Sequence, residues 1–353
     1  MTNQGIGARL PRKEDHRLTR GRGRFVADFK FDGQREVAFL RSPVAHARII
    51  SIDIPEDIRS RVFTAGDMGG VAPIRADSAL PGFKPSAQPP LAGDKIRQVG
   101  ELIAMCVAAT RAEAEDIADR VMVEYDILPA VSDILKARDA DAPLLHEEWG
   151  DNVFLETFVE TGSDGDIDSA AGKAAITVKR RFRTARQCMA PIEGKGVAAR
   201  WDSRLEQLEV ISASQMPHIV RTGLADCLGI DHGRIRVMAP DVGGGFGYKG
   251  ILSVEEVCIS WLAIHLDRPV RWIEDRREHL IANANCREHA YEITAHADAN
   301  GRLLALDAEA TVDAGAYSVY PFSACLEAAQ VASILPGPYD FDAYRCRTWS
   351  VAS

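Results

Sequence analysis

The residues best suited to chemistry form a glycine-rich stretch, Asp241-Val-Gly-Gly-Gly-Phe-Gly-Tyr-Lys249. An apolar run, Arg234–Pro240, precedes it, and a helical pattern begins near Ser253. Glycine lets the backbone approach a ligand closely and adopt positive φ, so that consecutive N–H groups can converge on an anion. The order strand, glycine loop, helix is therefore typical of a site for a phosphorylated cofactor.

The spacing of the glycines does not identify that cofactor. Gly245-x-Gly247-x-x-Gly250 fits the dinucleotide fingerprint, whereas Lys249 is not followed by Ser or Thr, which excludes a P-loop. The alternative is a tight strand-to-helix turn without a ligand. We favour a ligand, because four glycines in five positions flank a single phenylalanine, Phe246.

Two other residues have competing interpretations on the sequence alone. Gln215 lies just before Pro217, and a polar residue near the start of a helix is the favoured interpretation there. Phe246 is as well explained by a core aromatic as by a wall beside a ligand.

Composition and charge limit the class of protein. The chain has 353 residues, 46% hydrophobic and 26% charged, which is typical of a soluble globular protein of two or three domains. The net charge of −9 argues against nucleic acid as a partner, and the Arg-rich run 179–186 is interpreted as a solvated strand face or a subunit contact. No apolar run is long enough to span a membrane, and the N-terminus has charges where a signal peptide needs its apolar core, so we expect a cytoplasmic location.

The cysteines are scattered and contain no C-x-x-C pair. This pattern predicts no zinc or iron–sulfur ligand set, and it favours buried thiols in a reducing compartment. The seven positions are 106, 188, 227, 258, 286, 325 and 346.

Local patterns predict mixed α and β structure in residues 1–135. Short strands are predicted at Arg24–Ala27 and Val37–Arg41, and a buried strand at Glu101–Ala109. Thr110-Arg-Ala-Glu113 is a capping box that opens a helix. A polar run, Lys136–Pro143, predicts an exposed interdomain connection with few residues able to pack, and we place the linker at residues 136–150.

Residues 151–353 continue the alternation. Strands are predicted at Ile176–Phe182 and Leu205–Ser214, and a helix begins at Pro217 and stops at Gly229. A second helix begins with the capping box at Ser253, and Asp298-Ala-Asn-Gly301 predicts a hairpin. The apolar face expected for the second helix comprises Val254, Val257, Trp261 and Ile264.

Several of these segments together resemble the molybdenum-binding large subunit of the xanthine dehydrogenase/aldehyde oxidase/carbon monoxide dehydrogenase family. The opening segments, Gly7–Asp15 and Ser42–Arg48, resemble the hammerhead-type α/β domain of that family. The later ones occur in the family's order: Gln187–Gly196, Ser212–His218, Leu228-Gly229 and Ala239–Lys249.

The resemblance implies an α+β fold in two parts. Residues 1–135 would form the hammerhead-type α/β domain, residues 136–150 the linker, and residues 151–353 the first half of a molybdopterin-binding α+β domain. Family members are much longer, so the match predicts the N-terminal half only, in either a naturally split large subunit or a truncated one.

The resemblance also implies roles for individual residues. Gln215 would hydrogen-bond the apical oxo ligand of molybdenum, and Gly244, Gly245, Phe246 and Gly247 would pack beside the pterin. No side chain would bind the metal directly, and His218 belongs to the helix N-terminus. Glu193 is interpreted as structural or pocket-lining, because the general-base glutamate is expected on the missing C-terminal half.

The implied activity is oxidation of an aldehyde or N-heteroaromatic substrate with oxygen from water. The implied cofactor is molybdenum-molybdopterin in its cytosine dinucleotide form, with FAD and [2Fe-2S] clusters on partner subunits. The partners would be the complementary half of the large subunit, a small iron–sulfur subunit and an FAD-binding medium subunit, and without that half the chain would be inactive.

Alternatives to this activity stay open. One is a non-catalytic cofactor-binding or assembly module, and another is a truncated carbon monoxide dehydrogenase-like large subunit. Cys346 in Tyr344-Arg-Cys-Arg347 superficially resembles the cysteine loop of those dehydrogenases, but the segment is better explained as a strand. Gly250 stands where purine-oxidising relatives have a glutamate, which disfavours xanthine as the substrate.

Overall fold

A computed structural model describes residues 5–161, 166–286 and 288–353. Its first part is rich in short strands separated by turns. These strands are β1 Arg35–Arg41, β2 Ala47–Asp53, β3 Val62–Thr64, β4 Ile74–Arg75, β5 Ala87–Gln88, β6 Lys95–Ile96, β7 Leu102–Ala108 and β8 Met122–Ile127.

The later strands are on average longer. They are β9 Val153–Thr161, β10 Ile176–Thr184, β11 Gln187–Cys188, β12 Gly196–Asp202, β13 Gln207–Ser212, β14 Ile235–Met238, β15 Val270–Ile273, β16 Asn285–Cys286, β17 His289–Ala297, β18 Leu303–Asp313 and β19 Ala343–Val351.

Helices alternate with the strands along the chain, which confirms the expected α+β class. They are α1 Asp15–Leu18, α2 Arg111–Ala118, α3 Asp166–Lys173, α4 Pro217–Leu228, α5 Val254–Leu266, α6 Arg276–Ala282 and α7 Leu326–Ile334.

The largest sheet joins the two parts of the chain. Its strand order is β14-β13-β12-β15-β1-β7-β3, so strands from before residue 135 and after residue 151 lie side by side. The connection is a parallel pairing of β1 with β15 at Arg35↔Val270. Strand β7, predicted from its continuous apolar run, is buried along its whole length. The predicted domain boundary at residues 136–150 stays a prediction. The large sheet contains strands from both sides of that boundary.

Helix α5 packs across this sheet and is buried on nearly all sides. Of the apolar face predicted for this helix, Val257 is fully buried, whereas Val254, Trp261 and Ile264 are only partly buried. The helix also buries the charged residues Glu255 and Glu256. Glu256 is accommodated because it both caps the helix at Ser253 and accepts a hydrogen bond from the Ser212 hydroxyl at 2.5 Å.

The polar run Lys136–Pro143 is mostly exposed, as predicted, with Ala137 buried, whereas the residues that follow it pack into the fold. Leu145 is 2% exposed, and His146 stacks on Trp149 with 4.1 Å between the ring centroids. The buried ammonium of Lys95 donates to the Leu145 carbonyl at 3.0 Å and to Glu147 at 2.7 Å. The charged side chain of Lys95, in β6, thus fixes this segment against the fold. The composition of the segment does not indicate that contact.

The strand predicted at Arg24–Ala27 is also wrong. Val26–Asp28 forms a short 3₁₀ turn, because the Asp28 carboxylate accepts a hydrogen bond from the Phe25 N–H at 2.8 Å. This local side-chain-to-backbone bond competes with strand pairing.

A second, five-stranded sheet has the order β10-β17-β18-β19-β9. The predicted hairpin joins β17 to β18, and Gly301 in its turn has φ +85°. The segment that contains Cys346 is strand β19, as the sequence predicted.

Candidate functional site

The glycine loop lies between β14 and a short 3₁₀ turn, Tyr248–Gly250. Helix α5 begins only at Val254, after Ser253 caps it. In the dinucleotide fingerprint the loop opens directly into the helix, so the Gly245-x-Gly247-x-x-Gly250 spacing does not form that site here. The loop instead projects from the edge strand of the large sheet.

The side chain of Gln215 lies against this loop. Its backbone N–H donates to the Lys249 carbonyl at 2.8 Å, and its Oε1 accepts from the Gly247 N–H at 3.0 Å. A Cβ on Gly245 would come within 2.5 Å of the Gln215 Cδ, so only glycine leaves room for the amide. Because Oε1 receives the backbone donor, the Nε2 amino group faces away from Gly247.

The tip of the loop offers backbone donors. Within the described ranges, the N–H groups of Gly244, Gly245 and Phe246 have no hydrogen-bond acceptor. Gly244 and Gly247 have φ of +98° and +93°, which a residue with a Cβ rarely adopts. Three successive free donors at a glycine-rich turn suit an anionic or strongly polar ligand.

Phe246 is the exposed residue of this tip. Its side chain is 72% exposed and its φ is +53°, an unusual conformation for a bulky residue. The interpretation of Phe246 as a core aromatic is therefore wrong. Backbone strain and an exposed aromatic ring together are typical of a binding site.

Glu193 anchors the base of the loop. Its Oε2 accepts from the Gly243 N–H at 2.7 Å and from the Lys249 ammonium at 2.8 Å. Lys249 is fully buried, and desolvation lowers the pKa of its ammonium although Glu193 opposes that shift. Two donors to one oxygen favour a structural role for Glu193, one of the two roles predicted from the sequence, and its pairing with Lys249 had no sequence signal.

A buried polar cluster supports the turn that follows the loop. The Tyr248 hydroxyl donates to Glu274 at 2.5 Å, and Nδ1 of His279 lies 2.9 Å from the other Glu274 oxygen. Burial, with Glu274 next, raises the pKa of the Tyr248 hydroxyl well above its usual value. Tyr248 is therefore a fixed hydrogen-bond donor rather than an acid.

Asp241 connects the start of the loop to the N-terminal segment. Its carboxylate forms a two-pronged ion pair with Arg17 and accepts from the Arg24 N–H at 2.7 Å. The hydrogen bonds from Arg17, and then from Arg24, lower the pKa of Asp241 to about 2. Sequence reasoning missed this contact, because Arg17 and Asp241 are 224 residues apart.

The thiols and metal-binding side chains add no further site. Among the described residues no three His, Cys, Asp or Glu side chains are grouped to hold a metal ion. Five cysteines are buried as expected, but Cys188 is exposed and Cys286 is half-buried. Cys346 is completely buried inside β19.

Family models match nearly the whole chain. The molybdopterin cofactor-binding domain matches residues 145–353, and the a/b hammerhead domain of aldehyde oxidase and xanthine dehydrogenase matches residues 20–129. The chain belongs to this molybdenum-binding large-subunit family. The resemblance and the two expected kinds of domain are thereby confirmed.

Individual relatives share the fold along the length of this chain. The large subunit of nicotine 6-hydroxylase from Paenarthrobacter nicotinovorans is 37% identical over 97% of this chain and 42% of the relative. The carbon monoxide dehydrogenase large chain of Hydrogenophaga pseudoflava is 30% identical over 97% of this chain and 44% of the relative. The crystal structure of quinoline 2-oxidoreductase from Pseudomonas putida 86 superposes with a TM-score of 0.93 at 36% identity, covering 98% of this chain and 44% of that one.

The chain thus spans less than half the length of the relatives that it matches. The family is one of molybdenum oxidoreductases of the xanthine oxidase type. No helix in the part of the chain that the structure describes could cross a membrane.

Proposed function

We propose that the face formed by Gln215 and the loop Gly244–Gly247 holds a molybdopterin cofactor in a molybdenum hydroxylase. The observation that carries the proposal is the orientation of Gln215. Its Oε1 accepts from the Gly247 N–H, which leaves the Nε2 amino group as a donor on the other side of the amide, and Phe246 in the same loop is exposed.

The residues fit the group that the family implies. The amino group of Gln215 can donate to a metal oxo ligand without adding charge, and the free N–H groups of residues 244–246 can donate to polar atoms of a pterin. The missing Cβ at Gly245 keeps the amide in place, and Phe246 provides an apolar wall for a flat molecule. No side chain of this face needs to bind the metal itself.

When bound, the cofactor would supply oxidation of a carbon centre with oxygen from water and pass electrons onward. The chain would bind and orient that cofactor and shield one side of it. The Gly243 N–H and the Lys249 ammonium both donate to Oε2 of Glu193, which favours a structural role over that of a general base. We therefore infer that the general base, a glutamate, comes from polypeptide outside these 353 residues.

The favoured substrate class is an N-heteroaromatic compound or an aldehyde. Nicotine and quinoline, which appear in the names of two similar proteins, are N-heteroaromatic. A carbon monoxide dehydrogenase-like activity through Cys346 is disfavoured, because that thiol is buried in a strand. We also infer the cytosine dinucleotide form of the cofactor, with FAD and [2Fe-2S] clusters on partner subunits, and a cytoplasmic location.

Purification of the tagged chain from its own cells tests this proposal. We expect it to bring down a second large-subunit polypeptide, a small iron–sulfur protein and a flavoprotein, with molybdenum in that assembly only. Molybdenum and catalytic turnover in the separated monomer would refute the inferred complementary half. A molybdenum-containing assembly without turnover on aldehydes or N-heteroaromatics would instead favour a cofactor-binding or assembly module.

A further inference from the structure

The N-terminal segment lies against the point where the glycine loop leaves the large sheet. Strand β14 ends at Met238 and is an edge strand, since among the described residues it pairs only with β13. The sheet therefore supports the departing chain from one side. Beyond the strand, the Asp241 N–H donates to the Arg24 carbonyl at 3.1 Å. The N-terminal segment thus supplies a backbone contact where the sheet has ended.

Three donors of the N-terminal segment converge on the Asp241 carboxylate. The Arg24 N–H donates to it at 2.7 Å, so Arg24 and Asp241 are hydrogen-bonded in both directions. The Arg17 guanidinium donates through two nitrogens to the two carboxylate oxygens. A bidentate pair of arginine with carboxylate fixes orientation as well as distance. These contacts hold the first residue of the loop in one orientation.

A second anchor follows two residues later, at Gly243. Its N–H donates to Oε2 of Glu193 at 2.7 Å, and its carbonyl accepts from the Glu193 N–H at 3.2 Å. Within the described ranges, the N–H groups of the next three residues, 244–246, have no acceptor. The position of the tip of the loop therefore depends on the contacts that hold the loop before and after it.

The N-terminal segment also supports the connection to Gln215. Val26 is 1% exposed and packs in one apolar cluster with Ile211 and Ala213, and Met238 packs against the same cluster. Ala213 lies between strand β13 and Gln215, whereas Met238 ends the strand that leads to the loop. One short segment of chain therefore contacts both connections that lead to the cofactor-binding face.

The ion pair of Arg17 with Asp241 is partly exposed. The Arg17 side chain is 42% exposed and the Asp241 side chain 16%. Ion pairs with this exposure contribute little to the free energy of unfolding of a whole protein. The effect of this pair is instead local, because it restricts the first residue of a loop whose tip has no hydrogen bonds of its own.

We propose that residues 17–26 form a clasp that positions the loop Gly244–Gly247, with Arg17 as a positioning residue that acts through Asp241. Every contact of this N-terminal clasp lies within the chain, so no additional polypeptide is needed to form it. No residue of the clasp contacts the cofactor. The inference goes beyond the proposed function, and only its consequence for cofactor retention rests on that function.

Hydrogen exchange of the purified chain tests the clasp without any cofactor. The N–H groups of Asp241, Gly243 and Gly247 are hydrogen-bonded on either side of the tip. We expect Arg17→Ala to speed their exchange about two- to fivefold, which is the range for loss of a partly exposed ion pair. The midpoint of thermal unfolding should stay within about 2 °C of the wild type. Unchanged exchange at all three positions would overturn the clasp.

Matched variants show whether Arg17 acts through Asp241. Arg20→Ala removes an exposed arginine of the same segment and should exchange as the wild type does. Arg17→Lys keeps the charge but cannot form the two-pronged pair, so its exchange should be intermediate. In a double-mutant cycle, Arg17→Ala should add nothing to Asp241→Asn. Fully additive effects of these two substitutions would overturn the assignment of Arg17 to Asp241.

Retention of the cofactor tests the consequence for the proposed function. We expect molybdenum and pterin to dissociate from the affinity-purified Arg17→Ala assembly about two- to fivefold faster than from the wild type or Arg20→Ala. Faster loop exchange with unchanged dissociation would overturn the positioning role toward the cofactor. Absence of molybdenum and pterin from the wild-type assembly would instead refute the proposed function, and hydrogen exchange alone would then decide whether the clasp holds the loop.

Discussion

At the scale of single residues, the orientation of the Gln215 side-chain amide decides which of its atoms can face a cofactor. The Gly247 N–H can donate only to Oε1 of Gln215, so the hydrogen bond at 3.0 Å fixes the amino group on the other side. Phe246 and the glycines then form the remainder of the face. These residues were named from sequence resemblance, but the donor that orients Gln215 and the exposure of Phe246 depend on the folded loop and could not be read from spacing.

Two substitutions separate the two roles of Gln215. Gln215→Glu keeps an acceptor for Gly247 but removes the outward donor, whereas Gln215→Ala removes both. In the assembled enzyme we expect either change to lower turnover by about ten- to a thousandfold, which is typical for loss of a preorganised donor. Thermal unfolding should show that Gln215→Glu keeps the fold. Unchanged turnover at full molybdenum occupancy would leave Gln215 as a helix-flanking polar residue.

At the scale of elements, local sequence signals predicted helix ends and turns. Contacts between residues distant in the sequence could not be predicted from those signals. The stop of α4 at Gly229, where φ is +66°, the capping box of α5 and the hairpin turn depend on neighbouring residues. The ion pair of Glu193 with Lys249 joins residues 56 positions apart, and nothing in either neighbourhood indicates the other. The packing of Leu145 and His146 was missed for the same reason.

The contact of the N-terminal segment with the loop should depend on pH. The Asp241 carboxylate has a pKa lowered to about 2, so the contact contributes fully above the unfolded value of about 3.9 and is lost as pH falls toward 2. Limited proteolysis between Arg12 and Arg24, with an acid-active protease, should therefore accelerate across that window. Asp241→Asn should show fast cleavage at every pH. Equal cleavage of wild type and variant at pH 6 would contradict this role.

At the scale of the whole molecule, one sheet spans both matched domains, and the cofactor-binding face projects from its edge strand β14. Local sequence patterns predicted mixed α and β structure, and the family resemblance supplied the α+β class and the order of the parts. The shared sheet was not predictable from the sequence, since the pairing of β1 with β15 joins residues more than two hundred positions apart. Relatives that are more than twice as long can accommodate additional polypeptide against this face.

The decisive experiment measures the molybdenum and pterin content of the affinity-purified assembly in two variants, Gly245→Ala and Gly69→Ala. A Cβ at Gly245 would displace the Gln215 amide, whereas a Cβ at Gly69 meets open space. We predict that Gly245→Ala loses most of its molybdenum and pterin while its thermal midpoint stays close to that of Gly69→Ala, which keeps both. Full molybdenum and pterin in the folded Gly245→Ala assembly would contradict the claim that this loop and Gln215 hold the cofactor.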